Sequence, residues 1–271
     1  MSAEFDRRHL LHAGGALSLA AVVSACTRGA APSAAPSSRP ATSSAAPAPT
    51  GATTPPPSPA PSAVALLGGA PTCTLTPGTI AGPTWFDAHD VRSDIRDDRP
   101  GVPLELAFRV VQLPACLPLP QAVVDLWHCD ALGLYSGFAG SAAGDGGAAG
   151  GRDRYGDPQA AATDAERFLR GTQVTDAGGL VQFSTVYPGW YPTRTVHLHL
   201  KVHLAEATVL TTQLFFDDAV SDSVHGANDP YRGHPGRDTR NDGDPFYSST
   251  ALLASAPAPD RWLAAITLGV R

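Results

Sequence analysis

Residues 189–204, GWYPTRTVHLHLKVHL, hold the side chains of this sequence that are best suited to metal chemistry. They include a His-x-His pair, His197 and His199. Side chains two residues apart in a β-strand point to the same face, with Cα atoms ~6.6 Å apart, so these two imidazoles can bind one metal ion. His203 faces the same way but lies ~13 Å beyond His199, which excludes it from the same ligand set.

Tyr191 directly precedes the histidine strand and adds an oxygen donor. An ordinary tyrosine has a pKa of ~10, so it becomes a phenolate ligand only when the metal is acidic enough to remove its proton. Zinc sites use cysteine, histidine and carboxylates, and non-haem Fe(II) oxygenases use two histidines and a carboxylate. A phenolate oxygen instead favours a hard trivalent ion, Fe(III), and such a set calls for a second anionic oxygen ligand.

Tyr135 is the candidate for that second oxygen ligand. It lies in residues 125–138, DLWHCDALGLYSGF, where a predicted strand ends near Trp127 and Gly133 follows. We interpret His128, in the same segment, as a structural residue. The sequence therefore predicts a metal set of two tyrosines and two histidines.

The pattern resembles the intradiol ring-cleavage dioxygenases, ferric enzymes that open catechols between their two hydroxyl groups. The family's first ligand tyrosine lies in a W-x-x-x-x-x-G-x-Y-S pattern, which ends here at Tyr135 and Ser136. Its second tyrosine, and an arginine three residues before a His-x-His pair, are matched by Tyr191 and Arg194. The family's next strand carries T-T-Q, which is matched at residues 211–213.

Framework segments extend the resemblance over nearly the whole of residues 73–247. They are TPGTIAGPTWF, RSDIRDDRPGVPL and RGTQVTDAGGLVQFSTVYPGWY. Trp85 stands where the family usually has tyrosine, and the interval from Tyr191 to His197 is short, as in the exported members. Five ordered motifs in agreement are a far more specific signal than a His-x-His pair alone.

The resemblance implies one Fe(III) per chain, bound by Tyr135, Tyr191, His197 and His199. It also implies that Tyr191 leaves the metal and accepts a proton from the arriving catechol. The implied substrates are a catechol-type diol and O₂, and the implied product is a muconate-type diacid. The residues leave the identity of the catechol open.

Two further residues are catalytic candidates. The resemblance implies that Arg194 lies beside the bound catechol and stabilises negative charge. Its odd offset from His197 would turn it away from the metal side of a regular strand, so we expect the strand to become regular only after Thr195. Gln213 is the second candidate, although a buried glutamine also serves simply to satisfy backbone groups.

Two other functions are compatible with a fold of this kind. One is a non-catalytic β-sandwich binding module on the cell surface that retains a decayed metal site. The other is an iron or copper enzyme with different chemistry. Iron content and colour discriminate the first from a dioxygenase, and the products formed from a panel of catechols discriminate the second.

Strand-like runs dominate the rest of the domain. Residues 104–112 and 122–129 are rich in β-formers and are separated by a proline-broken connection, which predicts a hairpin. Residues 172–185 predict two short strands around an Asp-Ala-Gly-Gly turn. Residues 208–216 predict a strand adjacent to the histidine strand. Short strands with Gly/Pro turns favour an antiparallel sandwich.

The predicted fold class is therefore all-β, an antiparallel β-sandwich of the intradiol dioxygenase type with long active-site loops. Residues 164–169 predict a short helix. Residues 217–247 are polar and irregular, and a loop of that length in a compact domain is usually a lid or a wall of a binding site.

Three regions follow one another along the chain. Residues 1–26 predict an export signal, because a charged start precedes an apolar run that is too short to span a membrane. Arg7 and Arg8 resemble a twin-arginine signal, with an ordinary secretory signal as the alternative. Residues 27–64 are almost entirely Ala, Pro, Ser, Thr and Gly, which predicts a disordered tether. Residues 65–271 form the predicted catalytic domain.

The predicted location is outside the cell or on the outer face of its membrane. VSAC resembles a lipobox, so the predicted membrane contact is through a lipid anchor on Cys26 alone. The net charge of −6 and the pI of about 5.8 argue against a nucleic-acid partner, since such proteins carry a basic stripe. The helical region through which many cytoplasmic family members dimerise is replaced by the signal and tether, which leaves the oligomeric state open.

Export places three domain cysteines, Cys73, Cys116 and Cys129, in an oxidising compartment. In the predicted hairpin, Cys116 lies near the turn and Cys129 at the far end of the second strand, ~23 Å away. That separation is beyond disulfide reach. We therefore expect any disulfide to join Cys73 to either Cys116 or Cys129.

Overall fold

A computed structural model of the chain describes residues 60–68, 73–138, 148–205 and 207–271. The chain divides into two units, Met1–Pro56 and Pro57–Arg271, and all described residues belong to the second. The predicted export signal, 1–26, and the tether up to residue 59 lie outside the described residues. Within the described residues, none of the helices has the length and apolar character needed to cross a membrane.

The described chain consists mainly of strands, with one α-helix and four short 3₁₀ helices. The 3₁₀ helices are Ala63–Leu67, Tyr231–Gly233, Asn241–Gly243 and Ser249–Ala251. In chain order the other elements are β1 (Pro103–Gln112), β2 (Leu117–Pro118), β3 (Val123–Trp127), β4 (Ala149–Arg152), β5 (Pro158–Ala160), β6 (Arg170–Val174), β7 (Leu180–Val186), β8 (His197–Leu204), β9 (Ala207–Phe215), α1 (Asp218–Ala227), β10 (Ala254–Pro257) and β11 (Trp262–Val270).

Two sheets form the body of the domain. In sheet A the order is β10-β11-β1, and both β2 and β7 pair with the other edge of β1. In sheet B the order is β6-β3-β8-β9, and every pair is antiparallel. Strands β4 and β5 form a separate two-stranded ribbon. The pair β1–β11 is parallel, so the predicted antiparallel arrangement holds for the described strands apart from this pair.

The core lies between the two sheets, because the inner faces of both are apolar. Alternate residues of β1, such as Leu106 and Phe108, join the same buried cluster as Leu126 of β3 and Leu198 and Leu200 of β8. Side chains alternate along a strand, so the intervening residues of β3 and β8 occupy the opposite face of sheet B. The predicted all-β sandwich is confirmed.

The predicted hairpin of 104–112 with 122–129 is wrong. The first segment is β1 of sheet A, and the second contains β3 of sheet B. Their apolar faces pack across the core instead of lying side by side. The short β2 pairs with the end of β1, and the chain then crosses to the other sheet. Segment 172–185 does contain two strands, β6 and β7, but they too belong to different sheets.

The predicted helix at 164–169 is also wrong, since these residues form bends and turns. The Asp164 carboxylate accepts a hydrogen bond from the Glu166 backbone, a local bond that competes with helix formation. The helix α1 instead lies inside the segment 217–247, which the sequence predicted to be irregular. Asp217 caps it by accepting from Ala219 N, and its buried side of Ser221 and Val224 packs on the domain.

A disulfide and a buried apolar cluster attach the chain before β1 to the rest of the domain. Cys73 forms a disulfide with Cys116, which confirms that Cys73 is one partner, and Cys129 is a buried free thiol. Farther upstream, Ala63 and Leu67 are buried in a cluster with residues of β1 and β11. The packed chain therefore includes residues 63 and 64, the last two of the predicted tether.

Strands β8 and β9 pair with each other, as the sequence predicts.

Candidate metal centre

The outer face of β8 carries the histidines. Leu198, Leu200 and Val202 point into the core, so His197, His199 and Lys201 point to the opposite face. This face is covered by segments from elsewhere in the chain, and all three polar side chains are only about 2% exposed. Two imidazoles and an amine are thus largely shielded from bulk solvent.

Four donor atoms meet above this face. The Nε2 atoms of His197 and His199 lie 3.1 Å apart. The Tyr191 hydroxyl is 3.1 Å from His197 Nε2, and the Tyr135 hydroxyl is 3.5 Å from that of Tyr191. The four residues predicted as ligands are therefore brought together by the fold, and their role as ligands stays a prediction.

Gly133 allows the loop that bears Tyr135 to approach the chain before Tyr191. It has a φ of +85°, and a Cβ at this position would lie 2.3 Å from the Trp190 carbonyl oxygen. Only glycine adopts such a conformation without strain and leaves room for the neighbouring backbone. Asp130 shapes the same loop by accepting hydrogen bonds from the backbones of Leu132 and Leu134.

A buried arginine holds the residue after Tyr135. The Arg170 guanidinium donates to the Ser136 hydroxyl at 2.8 Å and to the Ser136 carbonyl at 2.9 Å. It also donates to the Thr84 carbonyl and lies over the Phe86 ring. Burial lowers the pKa of Arg170 to about 9. Tyr135 is thus held next to the Arg170 guanidinium, whose own position is fixed by hydrogen bonds and by the Phe86 ring.

The rings of the two histidines are oriented by different contacts. His197 Nδ1 donates to the Thr195 carbonyl at 2.6 Å, which places the proton on Nδ1 and leaves the Nε2 lone pair free. A backbone partner of this kind is the usual support of a metal-binding histidine. His199 stacks on Trp127 with ring centroids 4.9 Å apart, while its Nδ1 is buried without a hydrogen-bond partner in the described chain.

Burial keeps all four donors neutral in the protein alone. It lowers the pKa of His197 to about 3, with the nearby Arg194 charge adding to the effect, and it lowers the pKa of His199 well below its usual value. Burial raises the pKa of Tyr191 to about 12 and raises that of Tyr135 well above its ordinary value. Neutral imidazoles are ready to bind a cation, whereas the phenols lose their protons only to a strong Lewis acid.

Arg194 lies in the bend before β8, as the sequence predicts, since regular pairing begins at His197. Its Nε donates to the Asp244 carboxylate at 2.8 Å, and its Nη2 donates to the Gln213 side-chain oxygen. Gln213 Nε2 in turn donates to the Ile80 carbonyl at 3.1 Å. Arg194 and Gln213 therefore belong to one partly buried network beside the donors.

Three other histidines of the described chain are engaged elsewhere. His203 stacks on Tyr155 and bonds to the Thr208 hydroxyl through Nδ1. His128 donates through Nδ1 to the Cys129 carbonyl and accepts from Thr185 through Nε2, which fits the structural role expected for it. His225 bonds to the Pro188 carbonyl.

Comparison with solved structures identifies the fold. The chain is similar to an intradiol ring-cleavage dioxygenase from Tetranychus urticae, with 30% identity and a TM-score of 0.65 over 73% of this chain and 95% of that one. It is also similar to the dioxygenase domain of a dioxygenase–carbohydrate-binding protein fusion from Streptomyces sp. SirexAA-E. There the identity is 26% and the TM-score 0.52, over 72% of this chain and 97% of that one.

The chain belongs to the intradiol ring-cleavage dioxygenase family.

A curated relative in this family is catechol 1,2-dioxygenase 1 of Acinetobacter lwoffii, which is 30% identical over 161 residues. That match covers 51% of this chain and 45% of the relative, so the chain spans less than half of that protein's length. No family model matches the chain. The resemblance read from the tyrosine, arginine and histidine motifs is thereby confirmed at the level of the family.

Two residues close to this candidate centre were not predicted from the sequence. Asp244 fixes Arg194 and also accepts a hydrogen bond from the Thr195 backbone. The polar segment around Asp244 has no hydrophobic periodicity from which its position could be predicted. Lys201 shares its strand face with the histidines, and its spacing of two residues from His199 was a usable signal.

The candidate centre differs from metal sites built only from acidic, cysteine and histidine side chains. Within the described ranges, no group of three or more His, Cys, Asp or Glu side chains is placed to hold a metal. The candidate centre contains only two such side chains, and its other two candidate donors are the tyrosine hydroxyls.

Proposed function

We propose that the chain is a non-haem Fe(III)-dependent intradiol dioxygenase that cleaves catechol-type diols with O₂ to muconate-type diacids. The observation that carries the proposal is the convergence of two tyrosine oxygens and two histidine nitrogens at separations of 3.1–3.5 Å. Family membership supports the same reaction.

The donor set fits a ferric ion. Ligand atoms each ~2.0–2.1 Å from one ion lie roughly 3 Å apart, which agrees with the separations in this site. Two phenols and two imidazoles offer a hard, partly anionic set, and burial makes the phenols release their protons only to a strongly acidic cation. His197 is already held with its Nε2 lone pair exposed to the centre.

When bound, Fe(III) would supply the Lewis acidity that makes the phenols, and the hydroxyls of a catechol, give up their protons. The two tyrosines then differ in what they can do. Tyr135 follows a loop fixed by Asp130 and precedes Ser136, which Arg170 holds. Tyr191 lies beside a bend, and the phenolate oxygen that it would present once the metal had displaced its proton is the group that we assign to accept a catechol proton.

Arg194 is placed to meet negative charge on the substrate. Its Nε and Nη2 are occupied by Asp244 and Gln213. Within the described chain, Nη1 forms no hydrogen bond to protein and is the atom that remains for a ligand. Gln213 bridges Arg194 and the Ile80 carbonyl, so it acts as a positioning residue and not as a proton carrier.

The test is metal content together with turnover. The purified protein should contain iron and absorb visible light through phenolate-to-iron charge transfer, and it should consume O₂ with a catechol panel while forming muconate-type products. His197→Ala should lose iron and colour, whereas His203→Ala, on the same strand face, should keep both. A colourless wild type that takes up no iron would support the binding-module alternative instead.

Export is part of this proposal. The twin-arginine pattern at Arg7 and Arg8 and the lipobox-like VSAC support a domain held outside the cell through Cys26. The tether-like composition of residues 27–59 suits a spacer between an anchor and a catalytic domain.

A further inference from the structure

A cavity of about 590 Å³ lies beside the candidate metal centre. Three parts of the fold line it: the segment 79–83, the β4–β5 ribbon with Ala148, and the outer face of sheet B at Lys201 and Thr211. Cavities of roughly 300–1,000 Å³ accept ligands of drug size. This cavity is therefore far larger than a bare catechol ring requires.

The cavity is adjacent to the donors by strand register. Lys201 follows His199 by two residues on β8, and Thr211 precedes Gln213 by two residues on β9, so each lies on the same face as its neighbour in the site. Gly82 forms part of the boundary, since a Cβ at this position would lie 3.4 Å from His199 Cε1. A ring bound at the metal centre would thus face the cavity across Gly82.

The charged side chains in the cavity wall already have partners, whereas the buried Thr79 hydroxyl forms no hydrogen bond within the described chain. Lys201 Nζ donates to the Asp157 carboxylate at 2.6 Å and lies 3.2 Å from the centroid of the Trp85 ring. Asp157 also accepts from the Thr208 hydroxyl. Gln159 accepts from the Asp87 backbone and donates to the Arg152 carbonyl. Among the described lining residues, no unpaired positive charge remains to bind a carboxylate.

Small apolar groups make up much of the remaining wall. They are Ile80, Ala81, Pro83, Ala148, Ala149, Pro158 and Ala160. We propose that this cavity accepts an uncharged, apolar substituent on the ring of the catechol, so that the preferred substrates are bulky neutral catechols. The proposal rests on the proposed dioxygenase function and specifies its substrate class.

The experiment compares three substrates: catechol, 4-tert-butylcatechol and 3,4-dihydroxybenzoate. For the iron-loaded wild type, kcat/KM from oxygen uptake should be highest for 4-tert-butylcatechol and lowest for the carboxylate. Ala149→Phe fills the cavity from an exposed strand position. It should reduce the ratio of kcat/KM for 4-tert-butylcatechol to that for catechol by about tenfold or more, the scale of discrimination in apolar pockets.

Ala254→Phe is the matched control. Ala254 is an exposed alanine at the first position of a strand, like Ala149, but it lies in sheet A. This variant should leave both the basal rates and the substrate ratio unchanged. Anaerobic titration of tryptophan fluorescence gives the affinities separately, and Ala149→Phe should weaken binding of 4-tert-butylcatechol more than binding of catechol.

Three results would overturn the substrate assignment while leaving the dioxygenase intact. They are cleavage of catechol with a preference for 3,4-dihydroxybenzoate, equal losses for both neutral substrates in Ala149→Phe, and an Ala254→Phe effect of the same size. A wild type that contains iron but cleaves none of the three would instead count against the proposed function itself.

Discussion

At the scale of single residues, the two tyrosines differ in how firmly each is held. Tyr135 is about 1% exposed and is followed by Ser136, which Arg170 fixes through side-chain and backbone bonds. Tyr191 is about 8% exposed and is followed by a bend in which Thr193 has a positive φ of 71°. The tyrosine beside the bend is the better candidate to move when a substrate arrives.

Tyr191→Phe should retain iron, because Tyr135 and both histidines remain. It removes the group that accepts a catechol proton, and the loss of a positioned acid–base group reduces the rate by roughly 10²–10⁴-fold. Metal analysis, visible absorption and kcat measure this. Tyr135→Phe should lose more iron than Tyr191→Phe, and wild-type turnover by Tyr191→Phe would remove the proton-accepting role.

Arg194→Ala should keep iron and colour but lose cleavage rate by about a hundredfold, the scale for one donor aimed at developing charge. Arg194→Lys should recover little of this loss, because an ammonium lacks the planar fork that meets Asp244 and Gln213 together. Single-turnover decay of the enzyme–catechol complex after mixing with O₂ reports the chemical step. An unchanged decay rate combined with weaker catechol binding would make Arg194 a docking residue.

Residue types, spacing and the family resemblance together were sufficient to predict four candidate donors that the fold brings together, and the place of Arg194 before β8. The alternation of a strand places His197 and His199 together, and the weak affinity of phenols for ordinary divalent ions led to the second tyrosine. Asp244 could not be predicted in this way. It reaches Arg194 from far along the chain, and nothing local in its segment specifies that contact.

At the scale of elements, the strands were predictable and their partners less so. The pairing of β8 with β9 followed from their closeness in sequence, but β1 and β3 separated into different sheets. The local sequence pattern shows that a strand has an apolar face. It does not show whether the next strand pairs with its edge in the same sheet or packs against its face from the other sheet. The same limit applies to β6 and β7, and α1 depended on a cap and tertiary packing.

Substitution of Gly133 tests the packing of two segments, because this glycine allows the loop after β3 to approach the chain before β8. Gly133→Ala combines a φ of +85° with a Cβ 2.3 Å from the Trp190 carbonyl. Gly236→Ala has a similar φ, +88°, with no atom within 4 Å, and isolates the dihedral effect. We expect Gly133→Ala to lower the free energy of unfolding by roughly 1–3 kcal/mol more than the control.

Urea unfolding and iron content report the two consequences of Gly133→Ala. The variant should bind less iron, since movement of Trp190 also displaces Tyr191. Equal destabilisation of the two glycine variants, with full iron content in both, would show that the close approach at Gly133 is unimportant.

At the scale of the whole molecule, buried neutral histidines make stability depend on pH. Burial lowers the pKa of His128 to about 4, whereas an unfolded histidine has a pKa of ~6.5. Above pH ~6.5 both states are neutral. As the pH falls from there towards 4, the unfolded state binds the proton first, so the free energy of unfolding decreases.

His128→Gln should therefore reduce the loss of stability between pH 7 and pH 5 by about 2 kcal/mol. His89→Gln, which alters an exposed histidine, should show the full wild-type loss. Chemical unfolding at the two pH values measures the difference. Identical acid losses in both variants would show that His128 is not the group responsible.

Export is the other whole-molecule prediction. Replacing Arg7 and Arg8 by lysine should retain the protein inside the cell, because the twin-arginine route depends on that pair. Replacing Arg28 and Arg39, the arginines of the tether, by lysine is the matched control and should leave export unchanged. Fractionation and surface labelling measure the outcome, and normal display of the Arg7/Arg8 variant would indicate an ordinary secretory signal.

The parallel pairing of β1 with β11 has a consequence for the timing of folding during synthesis. One full edge of β1, from Leu104 to Gln112, pairs with residues that begin only at Trp262. A ribosome adds roughly 5–20 residues per second, so this edge waits on the order of ten seconds for its partner. During that interval an apolar strand carries unpaired backbone groups, the feature that promotes aggregation. We therefore expect nascent chains that stall before β11 to depend on chaperones, and released full-length chains to do so far less.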